Sequence, residues 1–217
     1  MVQGRLFGEE PGATEPAVLP FEDIGAARAA AQGCVRCDLS ETRRQVVFGA
    51  GSPLARLFVL GEGPSEMDDR SGEPFSGPSG SLLETWFVRL GLRREEVWLP
   101  NVVRCRPAAR KDGRLKNRPP TDREASACHV WLATEIALVR PAVILALGGS
   151  AGKALLGKGF KITQERGRWH EGPDGSAILT TFHPAYLLRL EDPELARATA
   201  VVESDLDAVR ARLEQSA

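Results

Sequence analysis

The segment from residue 57 to residue 75 places chemically useful side chains directly after an apolar run. The run Leu57–Leu60 ends at a glycine-rich turn, and the candidate residues that follow it are Gly61, Glu62, Gly63, Glu66, Asp68, Asp69 and Phe75. A short apolar run that ends in glycine is typical of a buried strand leading into a loop. In open α/β sheets, ligands bind beyond the carboxyl ends of the strands, so this loop is a candidate binding site.

The glycine spacing of this loop excludes the common phosphate-binding motifs. A P-loop requires Lys followed by Ser or Thr, and a dinucleotide fingerprint requires a third glycine where this chain has Glu66. The neighbouring carboxylates would also repel a phosphate. We therefore expect a ligand other than a nucleoside triphosphate.

Two more candidate residues stand at the ends of other apolar runs. Asn101 follows the run 97–99, and His183 follows the run 177–182. Because the carboxyl ends of parallel strands share one edge of a sheet, we expect both to lie near the 61–75 loop. An amide both donates and accepts, which suits the imide edge of a base, and Phe75 could stack on a flat ring. A histidine there could donate to a leaving oxygen and stabilise its negative charge.

Four cysteines, at positions 34, 37, 105 and 128, form a second candidate site. The N-terminus lacks an apolar signal-peptide core, which predicts a cytoplasmic protein in which disulfides are disfavoured. The two-residue spacing between Cys34 and Cys37 is typical of metal sites. Four thiolates can hold either a [4Fe–4S] cluster or a zinc ion, and the spacing does not separate the two. A redox pair at Cys34 and Cys37 is the alternative, although no thioredoxin-like strand surrounds it.

The elements that must position these residues follow from the periodicity of the remaining chain. Apolar strands at 56–61, 97–99, 142–147 and 177–182 alternate with helical patterns at about 79–91, 121–139, 150–156 and 193–214. This alternation predicts an α/β sandwich with a mostly parallel sheet. Ser79 is expected to cap one helix, and Thr121 with Glu124 to form a capping box on another.

Length and composition indicate one domain with a tail. The chain has 217 residues and a net charge of −1, and its longest apolar runs are far shorter than the roughly 18 residues of a membrane span. Residues 1–20 read as a flexible tail, and 21–217 as the folded domain carrying the four-cysteine site. We expect a monomer without a membrane segment.

A basic segment lies between the third and fourth cysteines. Residues 104–123 contain eight Arg or Lys against two Asp. Such a run is often only a solvated face, but a metal site anchoring both ends would hold it against a phosphate backbone.

Several of these motifs together carry a family resemblance. The segments GEGPSEMDDRSGEPFSGPSGSLL, NVVRCRP from Asn101, and HPAYLLR from His183 occur in one order, with the cysteine pair upstream. The chain resembles the family 4 uracil-DNA glycosylases over about residues 30–213.

This resemblance implies a three-layer α/β/α sandwich that flips a deoxyuridine out of DNA and cleaves its N-glycosidic bond in base excision repair. Uracil would be held by Gly61, Glu62, Gly63, Phe75, Asn101 and His183, with Asp68 and His183 catalytic and a [4Fe–4S] cluster on the four cysteines. Asn101 would read the N3/O4 edge, and His183 would stabilise negative charge on O2.

The chain departs from the family pattern in the acidic loop. Asp68 stands where the family usually has Glu, and Ser65 where it has Gly. Asp is one methylene shorter, so Asp69 and Glu66 are alternatives for placing the attacking water. Residues 106–121 contain no His, so covalent trapping of the sugar, which a related class performs from this loop, is not expected. These departures motivate an alternative function, a metal-stapled nucleic-acid binding protein with little glycosylase activity.

Features outside the pocket predict contacts with DNA. A helix start near residue 79 can present N–H groups to phosphate, and the apolar turn after His183 can fill the gap left by a flipped base. The residues predicted to contact DNA are Ser79, Arg106, Arg110, Lys111, Arg114, Leu187, Leu188 and Arg189.

A short peptide near the N-terminus predicts a protein partner. The sequence Gln3-Gly4-Arg5-Leu6-Phe7 resembles the Q-x-x-L-F peptides that dock on bacterial sliding clamps. An aliphatic–aromatic pair on a flexible tether suits peptide-in-pocket binding.

Overall fold

The structure, a computed structural model, describes residues 18–215. Its helices are α1 Ile24–Gln32, α2 Glu66–Ser71, α3 Pro78–Leu90, α4 Asp122–Val139, α5 Gly148–Leu156, α6 Ile162–Glu165, α7 Pro184–Leu187 and α8 Glu194–Gln215. Its strands are β1 Ala50–Gly51, β2 Leu57–Leu60, β3 Trp98–Leu99, β4 Ala108–Lys111, β5 Arg114–Asn117, β6 Val143–Leu147, β7 Trp169–Glu171 and β8 Ala177–Thr181. Short 3₁₀ turns occupy Asp38–Glu41, Arg94–Glu96 and Pro173–Gly175.

A six-stranded sheet in the order β1-β3-β2-β6-β8-β7 forms the middle layer. The four central strands are parallel, and the two edge strands are antiparallel to their neighbours. Because helices cover both faces, every residue of β2, β6 and β8 is buried, as apolar runs without polar alternation predict.

The two faces of the sheet carry separate apolar cores. Phe58 and Leu60 pack with α1, α4 and α5, whereas Leu57 and Val59 pack with α3 and α8 on the opposite face. This alternation along one strand produces three layers. The predicted α/β/α sandwich with a mostly parallel sheet is confirmed.

Of the two predicted helix caps, one forms and the other does not. The predicted capping box forms on α4: the Thr121 hydroxyl accepts from the Glu124 N–H at 3.2 Å, and the Glu124 carboxylate accepts from the Thr121 N–H at 2.7 Å. Gly91 ends α3 at a positive φ of 71°. The predicted cap at Ser79 is wrong, because α3 starts one residue earlier at Pro78, whose fixed φ suits a first helical position.

Two segments predicted as irregular contain regular elements. The acidic loop includes the helix α2, and the basic segment folds into an antiparallel hairpin of β4 and β5. Asp112 and Gly113, both at positive φ (53° and 75°), make the tight turn of this hairpin. An Asp-Gly pair between two short strands is a strong hairpin signal, and it accounts for this turn.

The chain enters the domain slightly before the predicted boundary at residue 20. Leu19 donates its N–H to the Thr134 hydroxyl at 3.0 Å and packs against the core on the α4 side of the sheet. The proposed clamp peptide at residues 3–7 lies outside the described residues. No helix between residues 18 and 215 combines the length and apolarity needed to cross a bilayer.

Candidate active site

A cleft of about 470 Å³ opens at the carboxyl edge of the sheet. It brings together most of the residues predicted for the base pocket, although they are far apart in the sequence. The predicted residues that line it are Glu62, Gly63, Asp68, Phe75, Ser79, Asn101, His183 and Arg189.

Gly61 joins the two strands that form the floor of the cleft. It forms a parallel bridge with Asn101, accepts from the Val102 N–H at 2.9 Å, and donates to the Pro100 carbonyl at 2.9 Å. A Cβ at Gly61 would lie 2.3 Å from Asn101 Oδ1 and 2.5 Å from the Phe75 ring. Only glycine therefore lets the amide and the ring approach the same strand end.

Asn101 presents an unsatisfied polar group in this cleft. The residue is 2% exposed, and its Nδ2 has no hydrogen-bond partner within residues 18–215. Leaving a buried donor unpaired costs about 1–3 kcal/mol, so such a group indicates a ligand that completes it.

Phe75 is held beside Asn101 in a strained backbone conformation. Its φ is 55°, an uncommon value for a residue with a large side chain. Gly80 makes room for this turn, since a Cβ there would lie 1.7 Å from the Phe75 carbonyl oxygen. The Phe75 ring faces the His183 ring at 27°, with centroids 6.3 Å apart.

His183 is fixed in one tautomer by the start of α7. Its Nδ1 accepts from the Ala185 N–H at 3.0 Å, so in the neutral ring the proton is on Nε2. Burial, together with the nearby charge of Arg189, lowers the pKa of His183 to about 4. At neutral pH the side chain is therefore an uncharged donor that lines the cleft.

Asp68 performs a structural role that its sequence position did not reveal. One carboxylate oxygen accepts from the N–H and the hydroxyl of Ser76, each at 2.7 Å, and the other accepts from the Ser65 N–H at 2.8 Å. The Ser65 hydroxyl accepts from the Asp68 N–H at 3.2 Å, which completes a capping box on α2. The two departures from the family pattern, Ser65 and Asp68, thus pair with each other.

The two alternative acids are turned away from the base pocket. Asp69 is 2% exposed and accepts from the Arg44 N–H at 2.9 Å. Glu66 forms ion pairs with Arg70 and Arg106. Asp68 is the member of this acidic trio that lines the cleft.

Ser150 is a cleft neighbour that sequence reasoning missed. Its hydroxyl donates to the Glu62 carboxylate, although the two residues are 88 positions apart. The position of Ser150 in the first turn of α5, directly beyond β6, could have indicated it, because β6 ends at the same sheet edge.

The four cysteines line one small apolar cavity between α1, α4 and the segment after Asn101. Three of the sulfur atoms already accept hydrogen bonds. Cys34 accepts from Trp131 Nε1 at 3.3 Å, Cys105 from Arg43 at 3.4 Å, and Cys128 from the Arg104 N–H at 3.3 Å. Such donors stabilise thiolates, which indicates a site built for sulfur in its charged form.

Without a bound metal, burial opposes the charged thiolate form of these cysteines. It raises the pKa of the Cys37 and Cys105 thiols, and it raises the pKa of Cys128 to about 12. A bound metal cation would instead stabilise the thiolates and lower the pKa of each thiol. In the described part of the chain, no three Cys, His, Asp or Glu side chains converge closely enough to hold a single metal ion.

The hairpin separates the basic segment into inward-facing and outward-facing charges. Arg104, Arg106 and Arg118 are paired with the carboxylates of Glu135, Glu66 and Glu124 respectively. Arg106 is 8% exposed, so it is not available to DNA as predicted. The predicted contacts Arg110, Lys111 and Arg114 are all exposed on the hairpin.

The turn after His183 divides its two leucines between core and solvent. Leu187 is 3% exposed and packs with α3 and α8, so it is not available as the predicted wedge. Leu188 is 51% exposed beside Arg189, which is also exposed. Leu188 is therefore the leucine of this turn that projects into solvent, together with Tyr186, which is 40% exposed.

Comparisons with known proteins agree with this fold and cleft. The profile of the Uracil DNA glycosylase superfamily matches residues 48–205. A type-4 uracil-DNA glycosylase of Thermotoga maritima is 41% identical over 165 residues, covering 76% of this chain and 82% of that protein. The type-4 enzyme of Sulfurisphaera tokodaii is 34% identical, covering 82% and 79%. A type-5 uracil-DNA glycosylase of Pyrobaculum aerophilum is 31% identical but covers only 49% and 50%.

The chain therefore belongs to the uracil-DNA glycosylase superfamily and, within it, to the type-4 uracil-DNA glycosylases. The resemblance predicted from the motifs is confirmed.

Proposed function

We propose that this protein hydrolyses the N-glycosidic bond of deoxyuridine in DNA, releasing uracil and leaving an abasic site. The observation that carries this proposal is the buried amide of Asn101, whose Nδ2 has no partner among the described residues and which shares one cleft with the neutral imidazole of His183. The names of the type-4 relatives support the same activity.

Asn101 supplies base selectivity. Its Nδ2 donates to O4 of uracil, while its Oδ1 accepts from N3–H. Cytosine has the reversed pattern, with a donor at position 4 and an acceptor at N3, and would leave the amide unpaired. A buried site built for one hydrogen-bond pattern can reject the wrong partner by about 10⁴-fold.

His183 stabilises the leaving group. When the bond between N1 and C1′ breaks, its electron pair stays on the uracil ring and the charge develops on O2. The Nε2–H of His183 donates to that oxygen, because Nδ1 is already occupied by the Ala185 N–H. A neutral donor suits this role, since it stabilises the anion without a preceding proton transfer.

Asp68 is the carboxylate of the acidic loop 66–69 that lines the cleft. Its Oδ2 accepts only from the Ser65 N–H among the described residues, so it retains room for a water molecule. We assign it the orientation of the water that adds to C1′, or the stabilisation of the sugar cation. The bonds from Ser65 and Ser76 hold the shorter side chain in place.

DNA is held at three places around the cleft. The exposed charges of Arg110, Lys111 and Arg114 contact phosphates, as do Arg189 and the first turn of α3 at Ser79. Leu188 fills the space that the flipped nucleotide leaves in the stack.

We propose that Cys34, Cys37, Cys105 and Cys128, which line one small cavity, hold a [4Fe–4S] cluster, as the resemblance to the type-4 family implies. A single zinc ion on the same four sulfurs is the alternative. The metal group would supply structural cross-linking, because the hydrolysis itself transfers no electrons.

We also propose a cytoplasmic monomer. The four cysteines are free of disulfides, as expected in a reducing compartment. We also propose that residues 3–7 dock on a sliding clamp. Deletion of residues 1–8 should then weaken clamp binding, and unchanged binding would contradict this docking.

Strand scission after alkali tests the proposed activity. The protein is incubated with single- and double-stranded oligonucleotides that carry one uracil, and His183→Ala serves as the matched control. We expect scission at the uracil for the wild type and little for the control. Scission that does not exceed the control would instead favour a nucleic-acid binding protein without activity.

A further inference from the structure

We infer that Arg104 is a positioning residue that holds the base-reading amide of Asn101 against the four-cysteine centre. The inference rests on the proposed function of Asn101. It gives a role to the buried guanidinium of Arg104, which has no part in the proposed cleavage of the glycosidic bond.

The guanidinium of Arg104 clamps the backbone at Asn101. Its Nη1 donates to the carbonyl oxygen of Asn101 and, at 3.2 Å, to that of Val102. These carbonyls belong to the two successive peptide bonds that follow Asn101, so the two hydrogen bonds fix the backbone directly after the residue whose side chain enters the cleft. The side chain itself is 2% exposed and makes no hydrogen bond through Nδ2 in the described chain.

The same residue contacts the cysteine centre through its backbone. The Arg104 N–H donates to the sulfur of Cys128 at 3.3 Å, and Cys105 is its neighbour in the chain. A shift of either cysteine therefore moves Arg104, and a shift of Arg104 moves Asn101. One residue links the two sites.

Glu135 holds the Arg104 guanidinium in place. Its Oε1 accepts from Arg104 Nε at 3.0 Å and from Nη2 at 2.7 Å, and its Oε2 accepts from Trp98 Nε1 at 2.7 Å. Arg104 is 2% exposed and Glu135 is 0% exposed. Replacing a buried ion pair by apolar side chains is often neutral for stability, so stability alone does not explain this arrangement.

A lysine or an apolar residue could fill the same volume but could not make these contacts together. The planar fork of arginine reaches two carbonyls and a carboxylate at once, whereas an ammonium group is a single point of charge. Because Arg104 positions Asn101, we expect the loss of Arg104 to reduce the selectivity for uracil.

The test compares two variants of the same buried pair. The double variant Arg104→Met with Glu135→Met removes the clamp without leaving an unpaired charge. Glu135→Gln disturbs the pair but leaves the arginine and its carbonyl contacts. Each protein is mixed with DNA containing a non-cleavable deoxyuridine analogue and with matched DNA containing deoxycytidine, and the ratio of the two affinities is measured beside metal content and melting temperature.

We expect the double variant to lose about tenfold or more of the wild-type affinity ratio, since displacements near 1 Å at a binding group can have effects of that size. Glu135→Gln should keep the ratio within about twofold despite a lower melting temperature. An unchanged ratio in the double variant, or an equal loss in both variants, overturns the inference. Should the double variant not fold, Arg104→Gln takes its place with the same two outcomes.

The wild type separates this inference from the proposed function. If the wild-type protein itself shows no preference for the uracil-containing DNA, the proposed function fails. If the wild type prefers uracil and the double variant retains that preference, only the role of Arg104 fails.

Discussion

In the proposed function, a single buried amide selects the base that the cleft accepts. Asn101 Nδ2 has no hydrogen-bond partner within residues 18–215, Gly61 lets the amide approach the Phe75 ring, and the neutral His183 lines the same cleft. The Gly61 backbone does not substitute for the amide, because its N–H and carbonyl are hydrogen-bonded in the sheet. The proposed selectivity therefore depends on the Asn101 side chain rather than on the Gly61 backbone.

Replacing that amide by a carboxylate is expected to abolish most of the activity. In Asn101→Asp, the oxygen that replaces Nδ2 faces O4 of uracil, so an acceptor meets an acceptor in a buried site. We expect kcat/KM on uracil-containing DNA to fall by about 10²-fold or more. Single-turnover kinetics with excess enzyme measure this. A folded variant that cleaves at the wild-type rate would contradict the role of Asn101.

At the scale of single elements, the sequence predicted the strands and long helices well. Unbroken apolar runs such as Val143–Leu147 have few alternative structures, and the Thr121 capping box marks its helix start by local chemistry. The residues that end the strands followed from the topology of a parallel sheet.

The sequence predicted less where short polar segments make specific contacts. The Asp68 carboxylate accepts hydrogen bonds from Ser76, eight positions away, and the contact between Glu62 and Ser150 spans 88 positions. Burial of Leu187 but not Leu188 depends on how α7 packs against α3 and α8. Such outcomes depend on tertiary packing rather than on local pattern.

Two variants of the acidic loop separate the structural role of Asp68 from its catalytic role. Ser76→Ala removes one hydrogen bond to the carboxylate and should lower the free energy of unfolding by about 1 kcal/mol with a small effect on kcat. Asp68→Asn keeps an acceptor for Ser76 but removes the charge, and should lower kcat by about 10²-fold. Denaturant unfolding and single-turnover rates measure the two effects. Equal rates in the two variants would limit Asp68 to capping α2.

The hairpin of β4 and β5 is expected to contribute salt-dependent affinity without base selectivity. Replacing Arg110, Lys111 and Arg114 together by Gln removes exposed charges, so the slope of log affinity against log salt should decrease by about one for each lost phosphate contact.

The same three-charge change on another part of the surface provides the control for the hairpin. Lys153, Lys158 and Lys161 are exposed in and after α5, outside the residues that line the cleft. Their replacement by Gln should leave the slope nearly unchanged. Equal changes in both triple variants would show that only net charge matters, and would remove the hairpin from the DNA interface.

At the scale of the whole molecule, the cysteine centre ties together three distant segments. Cys34 and Cys37 follow α1, Cys105 follows the strand end that carries Asn101, and Cys128 lies in α4. The helices on one face of the sheet are thereby connected to the floor of the cleft. We propose that the cysteine centre affects hydrolysis through this connection and not by taking part in the reaction.

Burial of His183 makes the stability of the whole fold pH-dependent. Its pKa is about 4 in the folded protein, against about 6.5 when unfolded, so the unfolded chain binds more protons between these values. The stabilising contribution is complete above about pH 6.5 and is lost as the pH falls towards 4. Between pH 7 and pH 5 the free energy of unfolding should fall by about 2 kcal/mol from this residue.

Denaturant unfolding of the wild type and of His183→Gln at both pH values measures this contribution. The variant should lose about 2 kcal/mol less than the wild type between pH 7 and pH 5. His129, whose pKa burial also lowers to about 4, remains in both proteins and therefore cancels in the comparison. The same pH dependence in both proteins would contradict a neutral, buried His183.

Identification of the free base released from DNA tests the central claim most directly. A duplex that contains one uracil among ordinary bases is incubated with the protein, and the released bases and abasic sites are quantified by mass spectrometry. The structure predicts uracil as the released base, in equal number with abasic sites, and a loss of release in Asn101→Asp. Release of no base, or release of cytosine or thymine alongside uracil, would contradict the assignment of this cleft as a uracil pocket.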